Sequence, residues 1–174
     1  MLRTAVAILF LLGSSAILSA QTHPARRTAE VKNASGHNLG NVTVTAAPHG
    51  VLLRIQVKGL TPGWHGVHFH EKADCSDAKF KNAGGHIHSK TPVIHGLLNP
   101  DANDSGDLPN IYANSDGAAT VELYSTLVSL NGGGGRPALL DADGSALVIH
   151  AHPDDYKSQP IGGAGDRVAC AEVR

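Results

Sequence analysis

The sequence has few aromatic residues, few cysteines and no excess of charge of either sign. Its 174 residues include three Phe, three Tyr, one Trp, one Met and two Cys, against 20 Gly and nine Pro. The 14 Lys and Arg against 15 Asp and Glu give a formal charge of −1, without the basic excess of a nucleic-acid-binding surface. Two cysteines are too few for a four-thiolate metal site, and their spacing excludes a CxxC redox motif. The hydrophobic content of 41% argues against general disorder, so this length predicts one loop-rich globular domain.

Long apolar runs are also lacking, apart from a short one near the N-terminus. Arg3 precedes an apolar stretch over residues 5–12, and a second stretch ends at Ser19 and Ala20. Fewer than 18 consecutive apolar residues favours a secretory signal peptide over residues 1–20 rather than a membrane anchor. We therefore expect no stable membrane anchor, a flexible polar leader over residues 21–27, and a single domain over residues 28–174. The mature chain is expected to be exported, to the periplasm or as a secreted protein.

Export gives the two cysteines a structural meaning. Cys75 and Cys170 form an even pair in a chain that is expected to reach an oxidising compartment. One disulfide is therefore the expected state, and two free buried thiols are the alternative.

Short segments of alternating apolar and polar residues predict strands. In Val51–Lys58, Leu53, Ile55 and Val57 alternate with polar side chains, which is the period of a strand with one solvated face. The same pattern recurs in residues 41–45, 65–71, 119–124 and 146–152, each bounded by turn residues. The absence of a helical period favours an all-β sandwich or barrel. The longest connections are expected over residues 72–110 and 153–168, and we interpret them as functional loops.

Histidine is the residue type present in excess. Six of the 11 histidines fall between His65 and His95. If residues 65–71 form a strand, His68 and His70 share one face, because side chains alternate with period two. Two neighbouring imidazoles form half of the nitrogen site that suits Cu(II). His150, at the end of another apolar strand, is a further candidate ligand.

A second group of candidate ligands lies in the first long loop. It mixes imidazole and carboxylate side chains, namely His86, His88, His95, Asp104 and Asp107. This mixture is typical of Zn(II) sites.

Three motifs together resemble the copper/zinc superoxide dismutase family, in particular its exported bacterial members. They are GVHFHE at 66–71, the glycine, histidine and aspartate positions at 84–86, 95–96 and 106–110, and GGAGDRVAC at 162–170. The resemblance implies a Greek-key β-sandwich or flattened barrel of about eight antiparallel strands. It also implies an enzyme that converts two superoxide anions to oxygen and hydrogen peroxide by one-electron cycling of a histidine-bound copper.

The resemblance also implies a role for each matching residue, with one copper and one zinc per subunit. The copper ligands would be His68, His70, His86 and His150, with His86 as an imidazolate shared with zinc. Arg167 would attract the superoxide substrate, and His86 would exchange a proton during turnover. Asp154 would orient a histidine of each metal site, Cys75 and Cys170 would form the internal disulfide, and His65 would be structural.

One departure from the family pattern falls on a zinc ligand. Asp104 stands where the family has a third histidine, so the zinc ligands would be His86, His95, Asp104 and Asp107. A carboxylate can bind zinc, and a copper-only dismutase with a weak zinc site is the alternative. His88 is expected to be a solvated residue, with a replacement ligand as its second interpretation.

A non-enzymatic exported copper-binding domain is the alternative from another functional class. Arg167 argues against it, because a metal store has no need for a cation that attracts an anionic substrate. The strand pattern does not distinguish a monomer from a homodimer, so both states stay open.

Overall fold

The computed structural model describes residues 24–174, and this part of the chain contains nine β-strands. The strands are β1 (Arg26–Asn33), β2 (Asn38–Ala47), β3 (Gly50–Val57), β4 (Gly63–His65), β5 (Val67–His70), β6 (Ile111–Ala113), β7 (Ala119–Ser125), β8 (Ser145–His150) and β9 (Arg167–Val173). The helical structure in residues 24–174 is a single 3₁₀ turn, Lys81–Ala83. The all-β prediction is confirmed.

The strands form one large curled sheet and a short ladder that extends it. The seven-stranded sheet has the order β5-β8-β9-β1-β2-β3-β7, and β4 pairs with β6. All seven strand ladders of the described residues are antiparallel. Because β6 also contacts β7, the ladder lies between the two ends of the sheet, as in a flattened barrel.

The alternation of side chains accounts for the core. In β3, Leu53, Ile55 and Val57 point inward and are buried, whereas Arg54 and Gln56 are exposed, as the sequence pattern predicted. The inward faces of the other strands supply the rest of this core, including Val67 and Phe69 of β5. The interior of the sheet is therefore filled by apolar side chains, and the histidines of β5 lie on its outer face.

The predicted strand over residues 65–71 is interrupted at Gly66, which gives nine strands in place of about eight. The Gly66 N–H donates to the carbonyl of His152, and the Gly66 carbonyl accepts from the N–H of His150. A Cβ at this position would lie 2.9 Å from the Cβ of Ala164, so the close approach requires glycine. The bend lets β4 pair with β6 while β5 pairs with β8.

Three long connections cross the described part of the chain, one more than the sequence analysis named. Residues 71–110 join β5 to β6, residues 126–144 join β7 to β8, and residues 151–166 join β8 to β9. The first covers the outer face of β8 and β9, where Phe80 packs on Val148 and Cys170. The predicted disulfide between Cys75 and Cys170 is present and ties this loop to β9.

The N-terminal boundaries can be compared only in part. The predicted signal peptide, 1–20, and residues 21–23 of the predicted leader lie outside the described residues. Strand β1 already begins at Arg26, two residues before the predicted domain start, because Arg26 and Arg27 pair with Thr45 and Val44 of β2. No helix within residues 24–174 is long and apolar enough to cross a membrane.

Candidate metal centre

Four histidines meet on the outer face of the sheet. His68 and His70 of β5 and His150 of β8 share this face, and His86 comes from the long loop where it bridges back to His70. One ring nitrogen of each lies within 4.8 Å of the others, and all four side chains are buried. The predicted copper ligands therefore lie together.

In each of the four rings, one nitrogen has a hydrogen-bond partner within the described chain and the other has none. His70 Nδ1 contacts the Gly84 carbonyl at 3.0 Å, and His150 Nδ1 contacts the Gly165 carbonyl at 3.1 Å. Because a carbonyl only accepts, Nδ1 is the protonated nitrogen of His70 and of His150, and Nε2 of these two rings presents a lone pair.

The ring nitrogens without a hydrogen-bond partner lie close to one another. They are His68 Nδ1, His70 Nε2, His86 Nε2 and His150 Nε2, each buried and without a hydrogen-bond partner in the described chain. Buried polar atoms are almost always satisfied, so four such atoms around one space are typical of a ligand-binding site. Four imidazole nitrogens fit a copper ion.

Gly84 allows its carbonyl to hold two functional side chains. The same oxygen accepts from His70 Nδ1 and from the Arg167 guanidinium, at 3.0 and 2.8 Å. Gly84 has φ of 79° and ψ of −157°, a conformation that is accessible essentially to glycine alone. The second acceptor of Arg167 is the carbonyl of Phe80, so the loop fixes the guanidinium beside His70.

A second cluster lies on the other side of the His86 ring. His86 Nδ1 is 2.7 Å from Asp104 Oδ2 and 3.6 Å from Asp107 Oδ1. His95 Nδ1 is 3.5 Å from the same Asp104 oxygen and 2.6 Å from the same Asp107 oxygen. The separations of 3.5 and 3.6 Å match the edges of a tetrahedron in which zinc is bound by nitrogen and oxygen at about 2.0–2.2 Å, whereas those of 2.6 and 2.7 Å are shorter than such an edge.

The two shortest contacts of this second cluster differ in their orientation. His95 Nδ1 and Asp107 Oδ1 are only 2.6 Å apart, but they are not aligned for a hydrogen bond. Both atoms are buried and have no hydrogen-bond partner within residues 24–174. The other oxygen of Asp107 accepts from the Gly96 N–H at 2.8 Å, which fixes the carboxylate. In contrast, His86 Nδ1 and Asp104 Oδ2 are aligned as a hydrogen bond. Asp104 therefore has one position that serves either as a zinc ligand or as the partner of His86.

Asp154 connects the two clusters from behind. Its Oδ2 accepts from His68 Nε2 at 2.7 Å, and its Oδ1 accepts from His95 Nε2 at 3.1 Å. A carboxylate behind a metal-bound imidazole orients the ring and raises its basicity. Asp154 is itself buried, so each of its oxygens fixes the ring of one centre.

The two clusters hold protons differently in the metal-free chain. Burial lowers the pKa of His70 well below its usual range and that of His150 to about 3, and nearby histidines add to both shifts. At the second cluster burial also acts to lower the pKa values, but the nearby carboxylates of Asp104 and Asp107 outweigh it, so the pKa of His86 is raised and that of His95 reaches about 11. The four-histidine cluster thus offers neutral imidazoles, whereas the second cluster must release protons when a cation binds.

The remaining histidines named in the sequence analysis lie apart from these clusters. His88 Nδ1 contacts the His86 carbonyl at 2.9 Å and Glu71 Oε1 at 3.4 Å, so its ring turns away from the second cluster. His65 lies on the opposite face of the strand, where its Nδ1 contacts the carbonyl of His150 at 2.7 Å. His65 therefore supports the backbone of His150, one of the four clustered histidines.

Several residues that shape the site were missed by sequence reasoning. The carbonyls of Gly84 and Gly165 orient two imidazoles, and no side-chain signal reveals a backbone acceptor. Gln159 brackets His95, because its Oε1 accepts from the His95 N–H and its Nε2 donates to the His95 carbonyl, at 2.9 and 2.8 Å. Its position in a long loop rich in glycine and aspartate gave only the general signal of a functional loop.

Comparisons with known proteins agree with this geometry. The family model described as "Copper/zinc superoxide dismutase (SODC)" matches residues 38–173. A superoxide dismutase [Cu-Zn] of Caulobacter vibrioides is 67% identical over 147 residues, which cover 84% of each chain. Superoxide dismutase [Cu-Zn] 2 of Aquifex aeolicus is 39% identical over 166 residues, covering 94% of this chain and 96% of the relative.

Solved structures give the same result for the fold. A SOD-like protein from Bacillus subtilis has a TM-score of 0.77 at 31% identity, covering 84% of this chain and 97% of the other. A Cu/Zn superoxide dismutase from Brucella abortus has a TM-score of 0.69 at 27% identity, covering 86% and 100%. The sequence match, the shared fold and the two clusters of ligand atoms show that the chain belongs to the copper/zinc superoxide dismutase family.

Proposed function

We propose that the two clusters are the copper and zinc sites of an active superoxide dismutase, with His86 shared between them. The observation that carries this proposal is the set of buried atoms without partners in the described chain, which divides into two groups on opposite sides of one imidazole. The proposed copper ligands are His68, His70, His86 and His150. The proposed zinc ligands are His86, His95, Asp104 and Asp107.

The overall reaction needs an electron carrier, a proton source and a way to attract a small anion. Two superoxide anions and two protons give one O2 and one H2O2, so one superoxide is oxidised and the other is reduced. Copper, when bound, supplies the one-electron oxidation and reduction, and zinc contributes no electrons. The protein residues must provide the other functions.

Arg167 is the residue we assign to substrate attraction. The chain as a whole has a formal charge of −1, so it offers no general attraction to an anion. Two carbonyls hold the guanidinium in place, which leaves further N–H groups to donate to superoxide. Its positive charge contributes to the lowered pKa values of His70 and His150, so its field acts at the copper ligands. A fixed cation beside the reacting centre attracts the anion by a field that salt screens.

His86 is the residue we assign to proton transfer. Its Nδ1 is fixed on the zinc side, where Asp104 and Asp107 lie, and its Nε2 faces the copper side. Nε2 is therefore the atom that takes up a proton and delivers it to the reduced substrate, while solvent supplies the second proton. Asp154 keeps His68 and His95 in place during this exchange.

Asp104 decides between a copper/zinc enzyme and a copper-only enzyme. Its carboxylate lies within 3.5 Å of both His86 Nδ1 and His95 Nδ1, which supports the role of fourth zinc ligand. The alternative is that it acts only as the hydrogen-bond partner of His86. Metal analysis of the purified protein, loaded with copper and zinc and assayed for dismutation, separates the two. One zinc and one copper per active chain supports our assignment, and one copper with full activity but no zinc contradicts it.

We also propose that the enzyme works outside the cytoplasm, in the periplasm or as a secreted protein. Its support is the disulfide between Cys75 and Cys170, which persists in oxidising compartments, and the signal-like sequence of residues 1–20. N-terminal sequencing of protein recovered from the extracytoplasmic fraction tests this proposal. We expect a start near residue 21, and recovery of an uncleaved chain from the cytoplasm would contradict it.

A further inference from the structure

Asp154 has to be held accurately, because each of its oxygens orients a ring of a different metal centre. It lies in the loop 151–166, which has no regular secondary structure to fix it. A set of contacts to the end of the other long loop, residues 71–110, holds this residue.

The Asn110 side chain brackets the backbone of Asp154. Asn110 Nδ2 donates to the Asp154 carbonyl at 2.8 Å, and Asn110 Oδ1 accepts from the Asp154 N–H at 2.9 Å. One amide thus satisfies both backbone groups of Asp154, in the way that a neighbouring strand would. Because Asn110 follows the zinc-cluster residue Asp107 by three positions, these bonds join the two loops directly.

Tyr156 completes the arrangement. Its hydroxyl accepts from the Asn110 N–H at 2.7 Å, and its own N–H donates to Asp154 Oδ1 at 2.6 Å. Its carbonyl accepts from the Leu98 N–H at 3.1 Å, so all its polar groups are engaged. Tyr156 has φ of 65°, a conformation that a bulky residue keeps only when its surroundings impose it.

We propose that Asn110 and Tyr156 are positioning residues that fix Asp154 before either metal binds; we call them the Asn110–Tyr156 clamp. The inference rests on the proposed metal sites and adds a role for residues that touch neither metal nor substrate. Through Asp154, the clamp sets the ring orientation of His95 on the zinc side and of His68 on the copper side. Loss of the clamp therefore weakens zinc binding and changes the copper site together.

Two clamp variants and two matched controls test this role. Asn110→Ala removes both amide bonds, and Tyr156→Phe removes only the hydroxyl. Asn114→Ala and Tyr112→Phe make the same chemical changes at exposed positions away from the metal clusters. Zinc affinity is measured by competition with a chromophoric chelator on copper-free protein, and the copper site by the Cu(II) EPR spectrum. Both measurements are made well below the melting temperature of each variant.

We expect about tenfold weaker zinc binding in Asn110→Ala, at the low end of the 10–100-fold range for residues that support metal ligands. Tyr156→Phe should show a smaller loss in the same direction, both clamp variants should change the EPR spectrum, and both controls should match the wild type. Clamp variants that melt at lower temperature but keep wild-type zinc affinity and EPR spectrum would overturn the proposal. If Asn110→Ala does not fold, Tyr156→Phe decides by the same criteria. Failure of the wild type to bind zinc would instead refute the proposed zinc site.

Discussion

The strongest test of the zinc site is the removal of the Asp104 carboxylate. Its Oδ2 lies 2.7 Å from His86 Nδ1 and 3.5 Å from His95 Nδ1, and its Oδ1 accepts from the Gly106 N–H at 2.9 Å. Asp104→Asn keeps the size of the side chain and an acceptor for Gly106 but removes the negative charge. The substitution therefore tests the contribution of the carboxylate charge to cation binding while the packing of the side chain stays the same.

The size of the effect follows from these contacts. Residues that only support a ligand change metal affinity by about 10–100-fold, so loss of a direct ligand should weaken zinc binding by more than about 100-fold. Copper affinity should change by less than about tenfold, because the nitrogen of His86 on the copper side points away from Asp104. The metal-free chain should lose about 3 kcal/mol, the low end for breaking a buried ion pair, because His86 can give up its proton.

Competition with chelators gives the zinc and copper affinities of wild type and variant, and urea unfolding of the metal-free proteins gives the stability difference. Asp116→Asn is a matched control, because Asp116 is an exposed carboxylate in the turn between β6 and β7 that likewise accepts from the N–H two residues later, that of Ala118. An Asp104→Asn protein that binds zinc within tenfold of the wild type would refute the assignment of Asp104 as a ligand. The copper-only interpretation would then be the better one.

The other predictions concern charge, the disulfide and pH. Arg167→Ala should slow dismutation and weaken its dependence on ionic strength, because the fixed cation is lost; stopped-flow rates across a salt series that match the wild type would contradict this role. Replacing Cys75 and Cys170 by Ala should lower the free energy of unfolding by about 4–5 kcal/mol, since the bridge closes a separation of 95 residues; an unchanged urea midpoint would contradict it. The metal-free chain should be most stable near pH 6.5. The pKa of His150 is lowered from 6.5 to about 3, so the unfolded chain gains its proton first as the pH falls, and the pKa of His95 is raised to about 11, so its contribution is lost as the pH rises. Unfolding curves from pH 4 to 9 check this, and stability that rises steadily with pH would contradict it.

The sequence was sufficient for much of the fold because the strands have one buried face. Period-two alternation placed Leu53, Ile55 and Val57 inside and put His68 and His70 together on the other face. The break at Gly66 was missed, because it depends on the approach of Ala164 from a distant loop. The third long connection, residues 126–144, was also missed, since it carries no histidine that would have drawn attention to it.

The candidate metal ligands could be predicted from the sequence, but most of the groups that hold them in place could not. A concentration of histidine and carboxylate residues is typical of a metal site. These residue types and the family motifs therefore predicted both clusters. The carbonyl of Gly84 is a backbone group, and the side-chain amide of Asn110 bonds to the backbone of Asp154, so residue types reveal neither contact. The position of Asp104 likewise needed coordinates, because only distances show that it lies near both imidazoles of the second cluster.

The central claim is that this chain is a superoxide dismutase that works through the copper and zinc sites described above. The most direct measurement is the decay of superoxide after pulse radiolysis, in the presence of protein with a measured copper and zinc content. We predict catalysis proportional to bound copper and near the diffusion limit of about 10⁸–10⁹ M⁻¹s⁻¹, which superoxide dismutase is known to reach. A protein that binds one copper and one zinc per chain and leaves the decay of superoxide unchanged would contradict the account.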